Sequence, residues 1–309
     1  MIDISIISPI YYGENTIDEL TSRLQSVMMK LNLSYEIIYV EDHSPDSSWI
    51  KIKSLATNNK NIKAIKLSKN FGQHKAIATG LDQVQGKRVV VLDCDLQDQP
   101  EEIEKLYFEA IKGYDIVRAK RENRQDSYLK RLSSQLFYFF FNSIAGLNMD
   151  SSIANFGIYD QKVIEAFKAH REQEIFFVSI IDSLGFNKVD IPVLHAPRTK
   201  GQSTYSLKKL LKLGINVALV GTNRPLLISA ALGFIMSFVS VSIAVINLIA
   251  KLTGQITVVG FTSTIFSIWF VGGLVLLSQG IMGLYLGKVY DGVKNRPRSV
   301  IAELVNIEL

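Results

Sequence analysis

Two long apolar segments near the carboxyl terminus place the strongest constraint on how this chain can fold. They run from about 226 to 250 and from about 262 to 286, and neither contains a charged side chain. A helix rises about 1.5 Å per residue, so a segment of this length exceeds the roughly 30 Å hydrocarbon core of a bilayer. Buried helices of a soluble core are usually shorter and keep a polar face. The pattern therefore predicts a hairpin of two transmembrane helices.

Basic residues flank this hairpin on both sides. Only Lys251 is charged in the connection, whereas basic groups precede and follow the hairpin at Lys208, Lys209, Lys212, Arg224, Lys288, Lys294, Arg296 and Arg298. Positively charged flanks stay on the cytosolic side, so both termini are expected in the cytoplasm. These flanks hold much of the net charge of +5, which suits attraction to anionic lipid headgroups. The rest of the chain lacks a basic stripe interleaved with aromatic residues, so nucleic acid is not an expected partner.

The first 120 residues alternate short β-branched runs with segments of helical character. Strands are predicted at 4–8, 36–40, 64–67, 88–92 and 116–117, and helices at 15–31, 47–58, 74–84 and 100–112. This alternation is typical of βαβ units, and it predicts an α/β, Rossmann-like fold with a mostly parallel sheet. Ligands of such sheets bind at the carboxyl ends of the strands. The polar residues that follow the strands are therefore candidates for a functional site.

An acidic cluster follows the fourth predicted strand, where Asp93-Cys94-Asp95 is succeeded by Gln97. In extended backbone the side chains of residues i and i+2 share a face, so Asp93 and Asp95 are expected to point into one site. Cys94 would then point into the protein. Carboxylate and amide oxygens suit Mg²⁺, which is often held by one or two carboxylates plus substrate phosphates. The cluster therefore predicts a metal site, with an acidic turn that binds no metal as the simpler alternative.

Two further loops carry polar residues at predicted strand ends. Asp42 follows the second strand, where it could accept a hydrogen bond from the N–H of a base, and Asp46 is explained by capping of the next helix. After the third strand, Lys69 and Lys75 surround a glycine turn that precedes a helix. Such an arrangement can face an anion.

Two stretches of amphipathic composition, 127–147 and 205–220, are predicted to lie on the membrane surface. Packing of these helices against the soluble domain is the alternative. The predicted organisation is then a soluble domain over 1–204, a juxtamembrane amphipathic helix over 205–225, two spans within 226–287, and a cytosolic basic tail over 288–309.

Together these motifs resemble the family 2 glycosyltransferases with an A-type nucleotide-sugar domain. The similarity is to the branch that uses polyprenyl phosphate and is related to dolichol-phosphate mannose synthases and bactoprenol glucosyltransferases. It covers nearly the whole chain, including the two-span tail. The most specific segments are DCDLQDQPE at 93–101 and RTKGQSTY at 198–205, which is similar to that branch's Arg-x-x-Gly-x-Ser-x-Tyr loop. Supporting segments are PIY at 9–11, EDHSPD at 41–46 and NFG at 70–72.

The resemblance implies roles for individual residues. Nucleotide binding is implied for Pro9, Tyr11, Glu14, Asp42, Lys69, Asn70 and Asp93. A site for Mg²⁺ or Mn²⁺ is implied at Asp93, Asp95 and Gln97, and a site for the acceptor phosphate at Arg121, Arg131, Arg198 and Ser203. Arginine suits that task because its planar guanidinium binds phosphate bidentately. The implied catalytic residues are Asp93, Asp95, Asn155 and Arg198.

Two positions depart from the family's pattern. Tyr12-Gly13 stands where the family usually has Asn-Glu, which affects the nucleoside pocket. Asn155, within Ala154-Asn155-Phe156-Gly157, replaces an acid that could act as a base. A phosphate monoester is mostly dianionic at neutral pH, since its second pKa lies near 6. Asn155 would therefore orient the acceptor or alter the sugar specificity.

The function implied by the resemblance is that of a membrane-anchored, metal-dependent inverting transferase. It would move a hexose from a nucleotide diphosphate sugar, with UDP as the expected nucleotide, to polyprenyl (undecaprenyl) phosphate on the cytosolic leaflet of a bacterial inner membrane. Two alternatives stay open: a transferase that extends a lipid-linked glycan, and a non-catalytic scaffold or flippase subunit that keeps the fold. Glycines in the apolar segments would allow close helix packing and hence a homo-oligomer.

Overall fold

The structure consists of two compact units. The computed structural model describes residues 2–121, 153–170, 176–194, 224–253, 260–294 and 296–307. The first unit comprises Met1–Tyr128, Met149–Ser203 and Arg296–Leu309, and the second comprises Leu129–Asn148 and Thr204–Asn295. The last residues of the chain therefore belong to the same unit as the amino-terminal ones.

An eight-stranded sheet forms the centre of the first unit. Its strands are β1 (Ile4–Ile10), β2 (Tyr35–Glu41), β3 (Ile62–Leu67), β4 (Arg88–Val91), β5 (Ile116–Arg121), β6 (Ile153–Asp160), β7 (Lys188–Val193) and β8 (Ile301–Val305). Their order across the sheet is β7-β5-β6-β4-β1-β2-β3-β8. Strands β4, β1, β2 and β3 are parallel neighbours and β5 is parallel to β7, whereas β6 and β8 run antiparallel to the strands beside them. The predicted α/β fold with a mostly parallel sheet is confirmed.

Helices cover both faces of the sheet. They are α1 (Ile17–Leu31), α2 (Ser48–Asn58), α3 (Gln73–Leu81), α4 (Ile103–Ala110), α5 (Gln161–Ala169) and α6 (Phe177–Ser183). One apolar cluster joins α1, α2 and α4 to one face, and a second joins α3, α5 and α6 to the other. The sheet is therefore sandwiched between two layers of helices, as parallel sheets usually are.

Strand β1 illustrates how the sequence specifies this sandwich. All seven of its residues are buried. Ile4 and Ile6 belong to one apolar cluster, whereas Ile7 belongs to the other. Because successive side chains of a strand point to opposite faces, a strand between two helix layers buries its side chains on both faces, and the isoleucines of β1 supply apolar contacts to each layer.

Helix α1 has the complementary pattern of a helix with one buried face. Ile17, Leu20 and Leu24 are fully buried and recur at spacings of three and four, which places them on one stripe. Full burial of each such side chain contributes roughly 1.5–3 kcal/mol. The helix ends at Asn32, whose φ of 54° is left-handed and whose N–H donates to the carbonyl of Met29 at 3.1 Å.

On the side of the sheet beyond β4, the sequence predicted only the start of β5, and it did not predict β6 or β7. Strand β6 lies between β4 and β5, with Gly157 opposite Val91. A Cβ atom on Gly157 would lie 2.9 Å from the carbonyl oxygen of Val117, so a side chain is excluded there.

The buried guanidinium of Arg118, in β5, lies 2.7 Å from carboxylate oxygens of both Asp182 and Asp190. Two carboxylates thus compensate the cost of burying this charge.

The second unit contains two long helices that contact each other, α7 (Arg224–Leu252) and α8 (Phe261–Val293). They cover the two predicted apolar segments. Within the described residues, the stretch Phe270–Tyr290 is the one helix long and apolar enough to cross a membrane by length and composition, and none of it is buried. A shorter apolar stretch covers Leu226–Met236. The two-span hairpin stays a prediction, and the predicted surface helices at 127–147 and 205–220 lie outside the described residues.

The predicted basic tail forms a strand of the sheet, which its sequence pattern did not indicate. Strand β8 pairs antiparallel with β3, with Val305 opposite Ala64. The indole N–H of Trp49 in α2 donates to the carboxylate of Glu303 at 3.1 Å, and Lys53 forms an ion pair with the same carboxylate. The chain thus returns to the first unit after the apolar helices and covers the edge of β3.

Asn306 directly follows β8, and its replacement should destabilise the first unit. Its side-chain amide donates to the carbonyl oxygens of Ala56, Asn59 and Ile62 at 2.5, 3.2 and 2.8 Å, and its φ of 59° is left-handed. We expect Asn306→Gly to lower the free energy of unfolding by about 1–3 kcal/mol, because the carbonyls lose their donor. Asn306→Ala should cost roughly 1 kcal/mol more, because alanine is disfavoured in left-handed backbone.

Denaturant unfolding of the detergent-solubilised protein, followed by tryptophan fluorescence, measures both differences. An Asn306→Gly variant as stable as the unchanged protein would mean that these hydrogen bonds contribute nothing to stability.

Candidate active site

The loops that follow β1, β2, β3 and β4 lie at one edge of the sheet, because these four strands are parallel neighbours. Tyr11 follows β1, and Asp42 follows β2. Lys69 and Asn70 follow β3, and Asp93 follows β4. Strand pairing therefore brings residues of both the predicted nucleotide site and the predicted metal site to the same edge.

Asp42 is almost completely buried and holds the loop between β3 and α3. Its exposed fraction is 3%, and its two carboxylate oxygens accept hydrogen bonds from the backbone N–H groups of Phe71 and Gly72 at 2.7 and 2.8 Å. Burial raises the pKa of Asp42, although the two hydrogen bonds act in the opposite direction. Gly72 has a φ of 95°, which few other residues adopt. The sequence suggested a contact with a base for Asp42 and missed this anchoring of a neighbouring loop.

Asp46 joins the first two loops of the site. Three successive backbone amides of the β1–α1 loop, residues 12–14, donate to Ser44 Oγ, Ser48 Oγ and Asp46 Oδ2 at 2.8, 3.0 and 3.1 Å. Both serine hydroxyls in turn donate to Asp46 Oδ1 at 2.6 Å. Burial would raise the pKa of Asp46, but the hydrogen bonds from these serines outweigh it and lower that pKa. Asp46 thus does more than the predicted capping, because its carboxylate fixes the backbone that follows Tyr11.

The other predicted nucleotide-binding residues differ in their exposure. Tyr11 and the pair Lys69 and Asn70 are exposed, and the Lys69 ammonium lies 5.0 Å from the centroid of the Phe71 ring. Pro9 is buried within β1. The side chain of Glu14 accepts a hydrogen bond from the N–H of residue 47 at 3.3 Å. Their contacts with a nucleotide stay predictions.

Asp93 and Asp95 follow β4 within a turn. One oxygen of Asp93 accepts a hydrogen bond from the side-chain amide of Gln73 at 2.5 Å, and one oxygen of Asp95 accepts from the backbone N–H of Gln97 at 3.1 Å. The strand ends at Val91, and Leu96 has a left-handed φ of 59°. The strand therefore ends before the two acids, and a turn covers Cys94 and Asp95. That both carboxylates point into one site stays a prediction.

Cys94, between the two acids, packs against the apolar cluster that contains α1 and α4. Burial raises the pKa of its thiol to about 12, so the thiol stays protonated at neutral pH. This agrees with the expectation that Cys94 points into the protein.

The residues after β4 fit a divalent cation only if the substrate supplies further ligands. Two carboxylates and the amide oxygen of Gln97 are hard donors of the kind that Mg²⁺ and Mn²⁺ accept. Across the part of the chain that the structure describes, no group of three or more His, Cys, Asp or Glu side chains could hold a metal. One or two carboxylates completed by phosphate oxygens is, however, the usual arrangement for Mg²⁺ bound with a nucleotide.

Asn155 reaches the same edge from β6. Gly157 is opposite Val91 in the antiparallel pair of β4 and β6. Asp93 comes two residues after Val91 in the sequence, and Asn155 comes two residues before Gly157. Continued pairing would make them opposite neighbours with side chains on one face.

The predicted acceptor-phosphate residues are mostly outside the described chain. Arg121 is the last residue of β5, and β5 runs in the same direction as β4 because β6 is antiparallel to both. Arg121 therefore lies at the same edge of the sheet as the acids. Arg131, Arg198 and Ser203 lie outside the described residues.

His74, in the first turn of α3, is a further residue near this edge whose state the sequence did not reveal. Its ring packs edge to face against Phe176, with centroids 4.6 Å apart, and its Nδ1 atom is buried without a hydrogen-bond partner among the described residues. Burial lowers the pKa of His74 to about 4. The imidazole is therefore neutral at physiological pH and adjoins Gln73, the donor to Asp93.

The fold of this chain is similar to that of solved A-type glycosyltransferases. Glucosyl-3-phosphoglycerate synthase from Mycobacterium tuberculosis, solved with Mn²⁺, UDP and phosphoglyceric acid, is similar with a TM-score of 0.50 over 71% of this chain and 76% of its own, at 15% identity. This likeness concerns the fold alone.

Sequence comparison identifies the family. Residues 5–171 match the model of glycosyl transferase family 2, and the chain belongs to that family. An uncharacterised glycosyltransferase of Synechocystis sp. is 32% identical over 99% of this chain and 97% of its own length. The undecaprenyl-phosphate 4-deoxy-4-formamido-L-arabinose transferase of Proteus mirabilis is 31% identical over 99% of this chain and 94% of its own length. The protein is thus a glycosyltransferase, and the resemblance seen in its motifs is confirmed.

His74 should make the folded state sensitive to acid. The folded protein takes up a proton on His74 only near pH 4, whereas the usual value for the unfolded chain is 6.5. Between these values the unfolded state binds more protons, so stability rises with pH across this window and is lost as pH falls through it. We expect His74→Gln to remove up to about 3 kcal/mol of this pH dependence.

Urea unfolding of both proteins at several pH values across the window measures this effect. The carboxylates that titrate near pH 4 contribute equally to both profiles and cancel in the difference. Identical slopes would rule out a buried neutral imidazole at position 74.

Proposed function

We propose that this glycosyltransferase moves a hexose from a UDP-sugar to polyprenyl phosphate on the cytosolic leaflet of a bacterial inner membrane. The observation that carries the proposal is the presence, in one chain, of an acidic edge suited to a nucleotide diphosphate and a separate unit of exposed apolar helices. The relative from Proteus mirabilis, similar over nearly its whole length, has undecaprenyl phosphate in its name. That similarity supports the same class of acceptor.

The nucleoside would bind between the loops after β1 and β2. Tyr11 offers an exposed aromatic ring, and Asp42 offers a carboxylate. Each oxygen of Asp42 accepts one hydrogen bond from a loop amide, and a carboxylate oxygen has a second lone pair. Asp42 can therefore still accept a hydrogen bond from a base N–H. The solved relative of the same fold contains UDP, which agrees with a uridine donor.

The diphosphate would lie beside Asp93, Asp95 and Gln97, which would hold Mg²⁺ or Mn²⁺. A bound dication would stabilise the charge that develops on the departing diphosphate. Gln73 fixes one oxygen of Asp93, and the backbone of Gln97 fixes one oxygen of Asp95. Both carboxylates are therefore oriented before the donor binds, which reduces the reorganisation that binding requires.

The acceptor phosphate would be bound by Arg121, Arg131, Arg198 and Ser203. Its oxygen would attack the anomeric carbon on the face opposite the departing diphosphate, which inverts the configuration at that carbon. The phosphate is already mostly dianionic at neutral pH and needs no base. Asn155, in β6 beside the carboxyl end of β4, would therefore orient the acceptor. Catalysis then consists mainly of positioning and charge stabilisation.

The connectivity of the sheet supports two membrane spans. Strands β7 and β8 belong to the same sheet, and both apolar helices lie between them in the sequence. A chain that leaves a folded unit and returns to it must cross a membrane an even number of times. If Phe270–Tyr290 crosses, another segment must also cross, and α7, with 29 residues, exceeds the roughly 20 that a span requires. The basic flanks would then keep both termini and the catalytic unit in the cytosol.

Transfer can be tested with the purified chain in lipid nanodiscs. The assay contains polyprenyl phosphate, Mg²⁺ or Mn²⁺, and one labelled nucleotide sugar at a time. We expect a lipid that carries a single hexose joined through phosphate, identified by mass spectrometry. A longer glycan would favour the alternative of chain extension, and no labelled lipid with any donor would refute the proposal.

Asp95→Ala should abolish transfer without unfolding the protein. The change removes one of two carboxylates proposed to hold the metal, so we expect kcat to fall at least about a hundredfold. Asp95→Asn, which keeps the size of the side chain but removes its charge, should behave similarly. Asp18→Ala is the matched control, because this exposed carboxylate forms a surface ion pair with Lys51 on α2. Retention of activity by both Asp95 variants, with circular dichroism unchanged, would contradict the metal assignment.

A further inference from the structure

Two adjacent tyrosines are exposed where β1 ends. Every residue of β1 is buried, but Tyr11 and Tyr12, which follow it directly, are 42% and 62% exposed. Their rings meet edge to face, with centroids 4.8 Å apart and planes inclined by 76°. The two rings therefore form an open aromatic corner at the edge of the sheet where the donor is proposed to bind.

Tyr12 is held in a backbone conformation that bulky residues rarely adopt. Its φ of 57° is left-handed, which is unusual for a residue with a large side chain. Its N–H donates to Ser44 Oγ at 2.8 Å, and the N–H of Gly13 donates to Ser48 Oγ at 3.0 Å. The second loop thus imposes this conformation. Asparagine or glycine would adopt it with less strain, so local folding does not explain a tyrosine at this position.

Strained residues of this kind persist where the surrounding structure enforces them, and they cluster at binding sites. The neighbouring charges indicate which ligand suits the corner. Burial raises the pKa of the Tyr11 phenol, and the neighbouring Tyr12, Asp42 and Asp46 raise it further. Carboxylates repel anionic lipid headgroups, so a membrane surface is a poor occupant. A flat, neutral ring with N–H donors, as in a nucleobase, matches both the aromatic faces and the acceptor oxygens.

We propose that Tyr12 is a nucleotide-binding residue whose ring, with that of Tyr11, forms two walls around the base of the donor. The base would stack on one ring and contact the other at its edge. This inference rests on the proposed nucleotide-sugar function and adds a contact at a position where the family usually has asparagine. Stacking is tolerant of base identity, so the aromatic corner would supply affinity while Asp42 would select a base with a suitably placed N–H.

Tyr12→Asn separates binding from folding, because the two are expected to change in opposite directions. Relief of the left-handed strain should raise Tm. Loss of the ring should weaken the binding of UDP about tenfold, as measured by calorimetry on the full chain. A substitution that merely damaged the fold would lower both quantities.

Two further variants isolate the contribution of the ring. Tyr12→Phe keeps the aromatic face and should bind UDP with an affinity within about twofold of the unchanged protein. Phe108→Ala removes an aromatic side chain of α4 that is similarly exposed, at 48%, and serves as the matched control with unchanged affinity.

The outcomes distinguish this inference from the proposed function. Equal UDP affinity for Tyr12→Asn and the unchanged protein would overturn the role of Tyr12 alone. If Tyr12→Asn raised only the KM for polyprenyl phosphate, the ring would contact the acceptor or the membrane, and the inference would also be overturned. If the unchanged protein bound neither UDP nor any other nucleoside diphosphate, the proposed function itself would be refuted.

Discussion

At the carboxyl ends of β1 to β4, where the sugar donor is proposed to bind, the geometry of the loops depends on carboxylates that bind the backbone amides of neighbouring loops. Asp42 holds the loop that carries Lys69 and Asn70, and Asp46 holds the loop that carries Tyr11. Hydrogen bonds to a charged group contribute about 1.5–3 kcal/mol each, enough to offset part of the cost of burying the charge. The balance between the effect of burial and the effect of hydrogen bonding on the pKa differs between the two acids. Burial dominates at Asp42 and raises its pKa, whereas hydrogen bonding dominates at Asp46 and lowers its pKa.

This arrangement divides the acidic residues of the site between two tasks. Asp42 and Asp46 organise loops, and they lie one strand away from Asp93 and Asp95, since β1 separates β2 from β4. The second pair accepts hydrogen bonds from the side chain of Gln73 and from a backbone amide, and it is suited to meet a cation and a diphosphate. Charge developing on a departing diphosphate is stabilised best by groups that do not move during the reaction. The rigid loops built on the first pair of acids provide a fixed frame for the second.

The sequence predicted the parts of this structure that are local. Strands β1 to β4 are rich in β-branched residues, with polar residues between them, and the helices between the strands follow the expected alternation. Pairings between distant residues have no such signature. The hydrogen bond from Trp49 to Glu303 joins residues 254 positions apart. The short run IAELV of β8 does not by itself indicate that it pairs with β3. Likewise, capping by Asp46 is a local property, whereas its bond to the amide of residue 14 depends on the pairing of β1 with β2.

Because β8 follows the apolar helices in the sequence, the sheet of the first unit is complete only after both helices have been synthesised. Strand β3 would be an edge strand without β8, and edge strands expose backbone groups that can pair with other chains. The cover comes from residues that follow α7 and α8 in the sequence, so it is synthesised after them. The same strand reaches the donor edge, because the N–H of Ser68, at the start of the β3–α3 loop, donates to the carbonyl of Val300 at 2.9 Å. Asp42 binds that loop at its far end, and Val300, the residue before β8, binds it at its near end, so the loop is fixed at both ends only once the segment after the apolar helices has been made.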